Sequence, residues 1–146
     1  MFRLRPRRWS RIVQRFTFHI PAGDLCDFAW SAPTKVTTKA IIFGNPSDPR
    51  REIDHIRYQA VNINEDTGLR VVEDDRFTVT FTLASLQDKD VGLYWHLTTP
   101  DGKRVKVSAG QFIVDPRSGL YLKQTPHIDP GFADVVCTVL GGHPAG

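Results

Sequence analysis

The sequence predicts an all-β fold, a β-sandwich of seven to eight antiparallel strands, on three observations. Apolar residues recur with a period of two between about residue 14 and residue 114, the mark of half-buried strands. Turn signals interrupt that pattern at roughly the 8–12-residue spacing of small sandwiches. No long stretch in the same region carries a helical stripe.

The strands follow in order. Phe16, Phe18 and Ile20 fall on one face of the first, and Cys26, Phe28 and Trp30 alternate in the next stretch. Thr34 to Phe43 is rich in β-branched residues and ends at Gly44-Asn45-Pro46-Ser47-Asp48-Pro49, a loop by composition. Ile56, Tyr58 and Ile63 mark a further strand, with a change of phase near Ala60, before the turn Glu65-Asp66-Thr67-Gly68. A short strand runs from Leu69 to Val72. Phe77, Val79, Phe81 and Leu83 then give the cleanest alternation in the chain. Leu93 to Thr98 and Val105 to Val114 flank Thr99-Pro100-Asp101-Gly102-Lys103, where Asp-Gly suits a tight hairpin.

At 146 residues, 40% hydrophobic and 24% charged, the chain has room for one domain able to bury a core without metal or disulfide help. Three parts are expected: a basic N-terminal arm over residues 1–15, the sandwich over 16–117, and a Pro/Gly-broken extension over 118–146 that packs on neighbouring subunits. Arg3, Arg5, Arg7, Arg8, Arg11 and Arg15 all precede the first acidic residue, Asp24, so the arm carries +6 and the remainder 13 − 16 = −3. Such an arm suits docking to carboxylate or phosphate, because the guanidinium fork matches both. Arg11, Gln14 and Arg15 interrupt every candidate signal-peptide core, and no apolar run approaches a membrane span, so a soluble protein is expected. Cys26 and Cys137 form no metal-binding spacing; they read as free, half-buried thiols, with a Cys26–Cys137 disulfide as the alternative.

The segment Leu83 to Tyr94 carries the spacing Leu-x-x-x-Asp-x-Gly-x-Tyr of the turn between the fifth and sixth strands of immunoglobulin-like domains. In that reading Leu86 plugs the core, Asp90 accepts backbone hydrogen bonds, Gly92 allows the turn and Tyr94 buries its ring at the corner. His96 stands where antibody-type domains have a cysteine. The inter-sheet disulfide is therefore not expected, which suits maturation in a reducing cytosol.

With this corner the chain resembles small phage virion proteins carrying an immunoglobulin-like module, in particular the N-terminal domain of baseplate upper proteins of tailed phages. The matching stretches are Asp27-Phe28-Ala29-Trp30, Ile56-Arg57-Tyr58-Gln59, Gly92-Leu93-Tyr94-Trp95 and Gly110-Gln111-Phe112-Ile113-Val114, within residues 24 to 117. The resemblance implies a structural protein of the tail tip or baseplate, located in the virion and assembled in the host cytoplasm. It implies docking to other virion proteins in a homo-oligomeric ring or other multi-copy assembly. Capsid decoration or a head-to-tail position is the alternative, in which the basic arm touches packaged DNA, and a carbohydrate- or receptor-binding module is the second. Nucleic acid is a less favoured partner.

Trp30, Tyr58, Trp95 and Tyr121 are the candidate interface aromatics. His19, His55, His96, His127 and His143 are too scattered to pair as metal ligands, and Glu73-Asp74-Asp75 reads as a solvated turn. Nucleophile-elbow, P-loop and dinucleotide signatures do not occur. No catalytic activity, metal or cofactor is expected.

Overall fold

The computed structural model describes residues 6–45, 48–82, 87–114, 121–125 and 132–146. The fold is all-β and antiparallel, as the alternation requires. Its strands are β1 (Pro6–Ile20), β2 (Trp30–Asn45), β3 (Asp48–Asn64), β4 (Arg70–Thr82), β5 (Gln87–Thr98), β6 (Arg104–Val114) and β7 (Tyr121–Thr125), followed by one helix, α1 (Phe132–Val139). The seven strands hydrogen-bond in chain order in a single sheet. The ladders run without a crossover from β1 to β7, an arrangement consistent with the all-β, sandwich-like fold expected from the alternation.

Two turns show why the chain reverses where it does. At β3–β4, Asn64 Oδ1 accepts from the Asp66 amide at 2.9 Å and Gly68 adopts φ +75°, while the Asn64 carbonyl accepts from Gly68 at 2.8 Å. At β5–β6, the Gly102 amide donates to the Thr99 carbonyl at 2.9 Å with Gly102 at φ +88°, so the positive φ falls on glycine and the hairpin closes as expected.

The core lies at one end of the sheet. Cys26, Phe28, Trp30, Ala32, Val71 and Leu97 are buried together with Val136, Cys137 and Leu140 from α1 and its end. Spacing of four places Val136 and Leu140 on one helix face. Beyond the last turn, Gly142 donates to the Cys137 carbonyl at 3.0 Å and Gly141 to Thr138 at 3.1 Å, with Gly141 at φ +85°. This pair of bonds satisfies carbonyls the helix leaves open.

Cys26 and Cys137 are joined in a disulfide across 111 positions, with Cα atoms 5.4 Å apart. Their reading as free thiols is corrected. So is the docking of the C-terminal segment on neighbours: from Phe132 on it packs on its own sheet, because Val136, Cys137 and Leu140 complete an apolar floor otherwise open to water. Ala145 N donates to the Leu25 carbonyl and Asp27 N to the His143 carbonyl, each at 2.8 Å. Asn64 Nδ2 reaches the Leu140 carbonyl at 2.8 Å, tying the β3–β4 turn to the same clamp.

The N-terminal arm is likewise corrected from residue 6 onward. Arg7, Arg8, Arg11 and Arg15 belong to β1, laddered to β2 from Pro6↔Phe43 to Ile20↔Trp30. The β-branched run of β2 offers a long template, and β1 follows it. Arg3 and Arg5 lie outside the described residues.

Candidate functional surfaces

Strand alternation sorts the charges of this sheet onto opposite faces. One face carries the acids Glu52, Asp54, Glu73, Asp75 and Asp90, together with Trp30, Tyr58 and Phe77. The other carries Arg11, Lys35, Lys39, His55, Arg57 and Arg76 near its centre, with Asp74 among them.

On the acidic face, carboxylates two positions apart on one strand stand side by side. Trp30 Nε1 donates to Asn62 Oδ1 at 3.0 Å, and Asn62 Nδ2 donates to Glu73 Oε2 at 3.3 Å. Asp75 Oδ1 accepts from the His96 amide at 2.9 Å. Burial pushes the Glu73 carboxyl up to about 8, and the hydrogen bond and charge of Asp75 add to the shift. Glu52 is raised by burial first and by Asp54 next. The Tyr58 phenol is raised by burial, against the hydrogen bond with Thr34. Trp30, Tyr58, Asn62, Glu73 and Asp75 floor a cleft of about 410 Å³ walled by Phe18, Ile20, Leu25 and Phe77, and Glu52 and Asp54 are not part of its lining. Glu73-Asp74-Asp75, expected as a solvated turn, is part of β4, with Glu73 and Asp75 buried.

The basic face is a shallow trough of about 610 Å³ spanning β1 to β5. Arg11 stands directly across from Lys39, and Lys39 from His55; Arg15 faces Lys35, and Arg57 faces Arg76. Like charges so placed repel. Asp74 relieves part of it: Arg57 Nε and Nη2 donate to its two oxygens at 3.0 and 2.9 Å, and Arg76 Nη2 lies 3.8 Å away. The Arg57 hydrogen bonds hold the Asp74 carboxyl below its ordinary range.

The third surface is the outer edge of the sheet. Among the described residues β1 pairs on one side only, with β2. Trp9 is 72% exposed, and Ile12, Val13, Phe16 and Phe18 are also exposed. Phe16 and Phe18 meet edge to face at 4.9 Å between ring centroids. The edge thus offers unpaired backbone groups, apolar side chains on both faces and arginines in one strip.

The corner residues are distributed differently from the expectation. β4 ends at Thr82 and β5 begins at Gln87; Leu86 lies outside the described residues, and Asp90, Gly92 and Tyr94 fall inside β5. Tyr94 pairs with Ser108, and Gly92 pairs with Phe77 and Gly110. β4 and β5 are hydrogen-bonded neighbours, so the corner spacing falls within a pair of adjacent strands. Trp30, a candidate interface aromatic, is corrected to a core residue 4% exposed. Tyr58 is half-buried beside Asp75, while Trp95 and Tyr121 lie in β5 and β7 with their side chains undescribed.

Comparison with protein-family models, with curated proteins and with solved structures returns no match. Among the described residues no helix is long and apolar enough to cross a membrane.

Proposed function

We propose that the protein is a non-catalytic assembly module, a structural component of a bacteriophage tail tip or baseplate, that docks through the edge strand β1. The observation that carries the docking reading is a 15-residue edge strand with aromatic and aliphatic side chains in solvent. Long edges with apolar side chains pair with further strands unless something blocks them, and among the described residues no element covers β1, whose Pro6 and register irregularity lie at its very start. A partner strand added to β1 gains main-chain hydrogen bonds and buries Trp9, Phe16 and Phe18.

The charge of β1 names the partner's chemistry. Arg7, Arg8, Arg11 and Arg15 share the strand with no acid, so an acidic extended segment of another virion protein complements it, whereas a second copy doubles the positive charge. The virion assignment rests on the resemblance described above.

The test is a mass-spectrometric inventory of purified particles of the encoding phage. The chain is expected in several copies per particle, and Trp9→Glu with Phe18→Glu should cut incorporation at least tenfold while thermal stability is kept. Absence of the chain from particles, or undiminished incorporation of the double variant, overturns the proposal.

A further inference from the structure

From the segregation of charge across the sheet we infer that the basic face binds the phosphodiester backbone of single-stranded nucleic acid. The net charge of the whole chain is only +3, so a basic face is not a consequence of composition. It arises because β3 and β4 place Glu52, Asp54, Glu73 and Asp75 at positions of one parity and Arg57 and Arg76 at the other. Solubility alone is served by mixing the signs, which relieves repulsion. Here Arg11↔Lys39, Arg15↔Lys35 and Arg57↔Arg76 are placed directly opposite each other, and folding retains the cost. A polymer bringing one negative charge per unit offsets that cost along its whole length.

Two features favour a nucleic-acid strand over an acidic peptide or a duplex. Trp9 lies on the basic face, two residues outside Arg11 along β1, with its ring in solvent, as a base-stacking platform requires. The trough crosses five strands, about 19 Å at the usual strand spacing, and is shallow. It presents no helix or ribbon able to enter a duplex groove. Arg57 is held in place by both oxygens of Asp74, so its own side chain loses little entropy on binding.

The experiment uses the full oxidised chain and fluorescein-labelled (dT)20, read by anisotropy between 50 and 200 mM salt. Lys35→Gln/Lys39→Gln/Arg76→Gln leaves the apolar edge of β1 intact. Arg8→Gln/Arg50→Gln/Lys103→Gln removes equal charge away from the trough. Binding by the unmodified chain should weaken with salt. The trough variant should lose at least tenfold in affinity and flatten the log–log salt slope by about 2, from about 0.7 per phosphate contact. The matched variant should change less than twofold, and Trp9→Ala should cost about fivefold or more. Equal loss in the two triple variants, absence of binding at 50 mM salt, tighter binding of a 20-base-pair duplex, or displacement by polyglutamate as readily as by unlabelled (dT)20 each overturns the inference.

Discussion

At Glu73 an ordinary surface residue type is held in the interior beside a second carboxylate, and its ionisation is coupled to folding. The folded protein holds the proton up to about pH 8, whereas the unfolded chain releases it near the ordinary glutamate value of 4.5. Between those limits the folded state binds more protons, so this group's contribution to stability falls as pH rises. Glu73→Gln keeps the acceptor for Asn62 and supplies a donor toward Asp75. We expect its thermal midpoint to match the parent near pH 4 and to exceed it at pH 9, with a flatter pH dependence between. A parallel decline in both proteins would show that other groups set the slope. Gly92 is a second such residue. A Cβ there would lie 2.3 Å from the Arg76 carbonyl oxygen and 2.8 Å from Phe77 Cβ, at φ +157°. Gly92→Ala should therefore cost about 1–3 kcal/mol or more in a urea titration, as overpacking does. The sequence singled out Gly92 correctly as a backbone position but for another geometry, since the Asp-x-Gly-x-Tyr spacing does not say whether the close approach comes from a corner or from a neighbouring strand. Glu73 was misread because a run of three acids looks solvated until alternation turns two of them inward.

Among the elements, β2, β3, β5 and β6 were legible because each has one face more apolar than the other, which period-two reading detects, whereas β4 was read as two strands parted at Glu73-Asp74-Asp75. β1 was legible only from Phe16 on. Before it, arginines, Trp9, Ile12 and Val13 leave both faces exposed at a sheet edge, so no burial signal exists to be read. The stronger clue was the length of the β-branched run in β2, longer than a strand from Phe16 to Ile20 can cover. The same pairing places Arg11 against Lys39 and Arg15 against Lys35. Removing one charge from each pair should stabilise the free protein. We expect Lys35→Gln/Lys39→Gln to raise the thermal midpoint in 10 mM salt and to leave it nearly unchanged in 1 M salt, where the Debye length shrinks to about 3 Å. An equal gain at both salt concentrations would point to packing and not to repulsion.

For the whole molecule, the decisive contact joins segments 111 positions apart, and local patterns hold no information about it. Cys26 and Cys137 gave the one covalent hint, and its two readings could not be separated without the topology. The short apolar piece Val135 to Leu140 looked unable to support itself, correctly, but its partner is the end of its own sheet. Among the described residues that end is closed on one side by strands carrying Trp30, Val71 and Leu97, and on the other by α1 with Leu140, Cys26 and Phe28. The disulfide is therefore the element that keeps the lid of the core from leaving. In the chain-entropy view, a loop of roughly 100 residues closed in the unfolded state is worth about 4–5 kcal/mol. Cys26→Ser/Cys137→Ser should lower the urea midpoint and steepen the transition, since an unfolded chain freed of the cross-link exposes more surface. Removing residues 132–146 takes away the apolar lid as well as the bond, so it should destabilise more than the double serine variant and expose Trp30 to solvent quenchers. If that truncation melts like the double variant with Trp30 still protected, the sheet closes its own core and α1 is only an attachment.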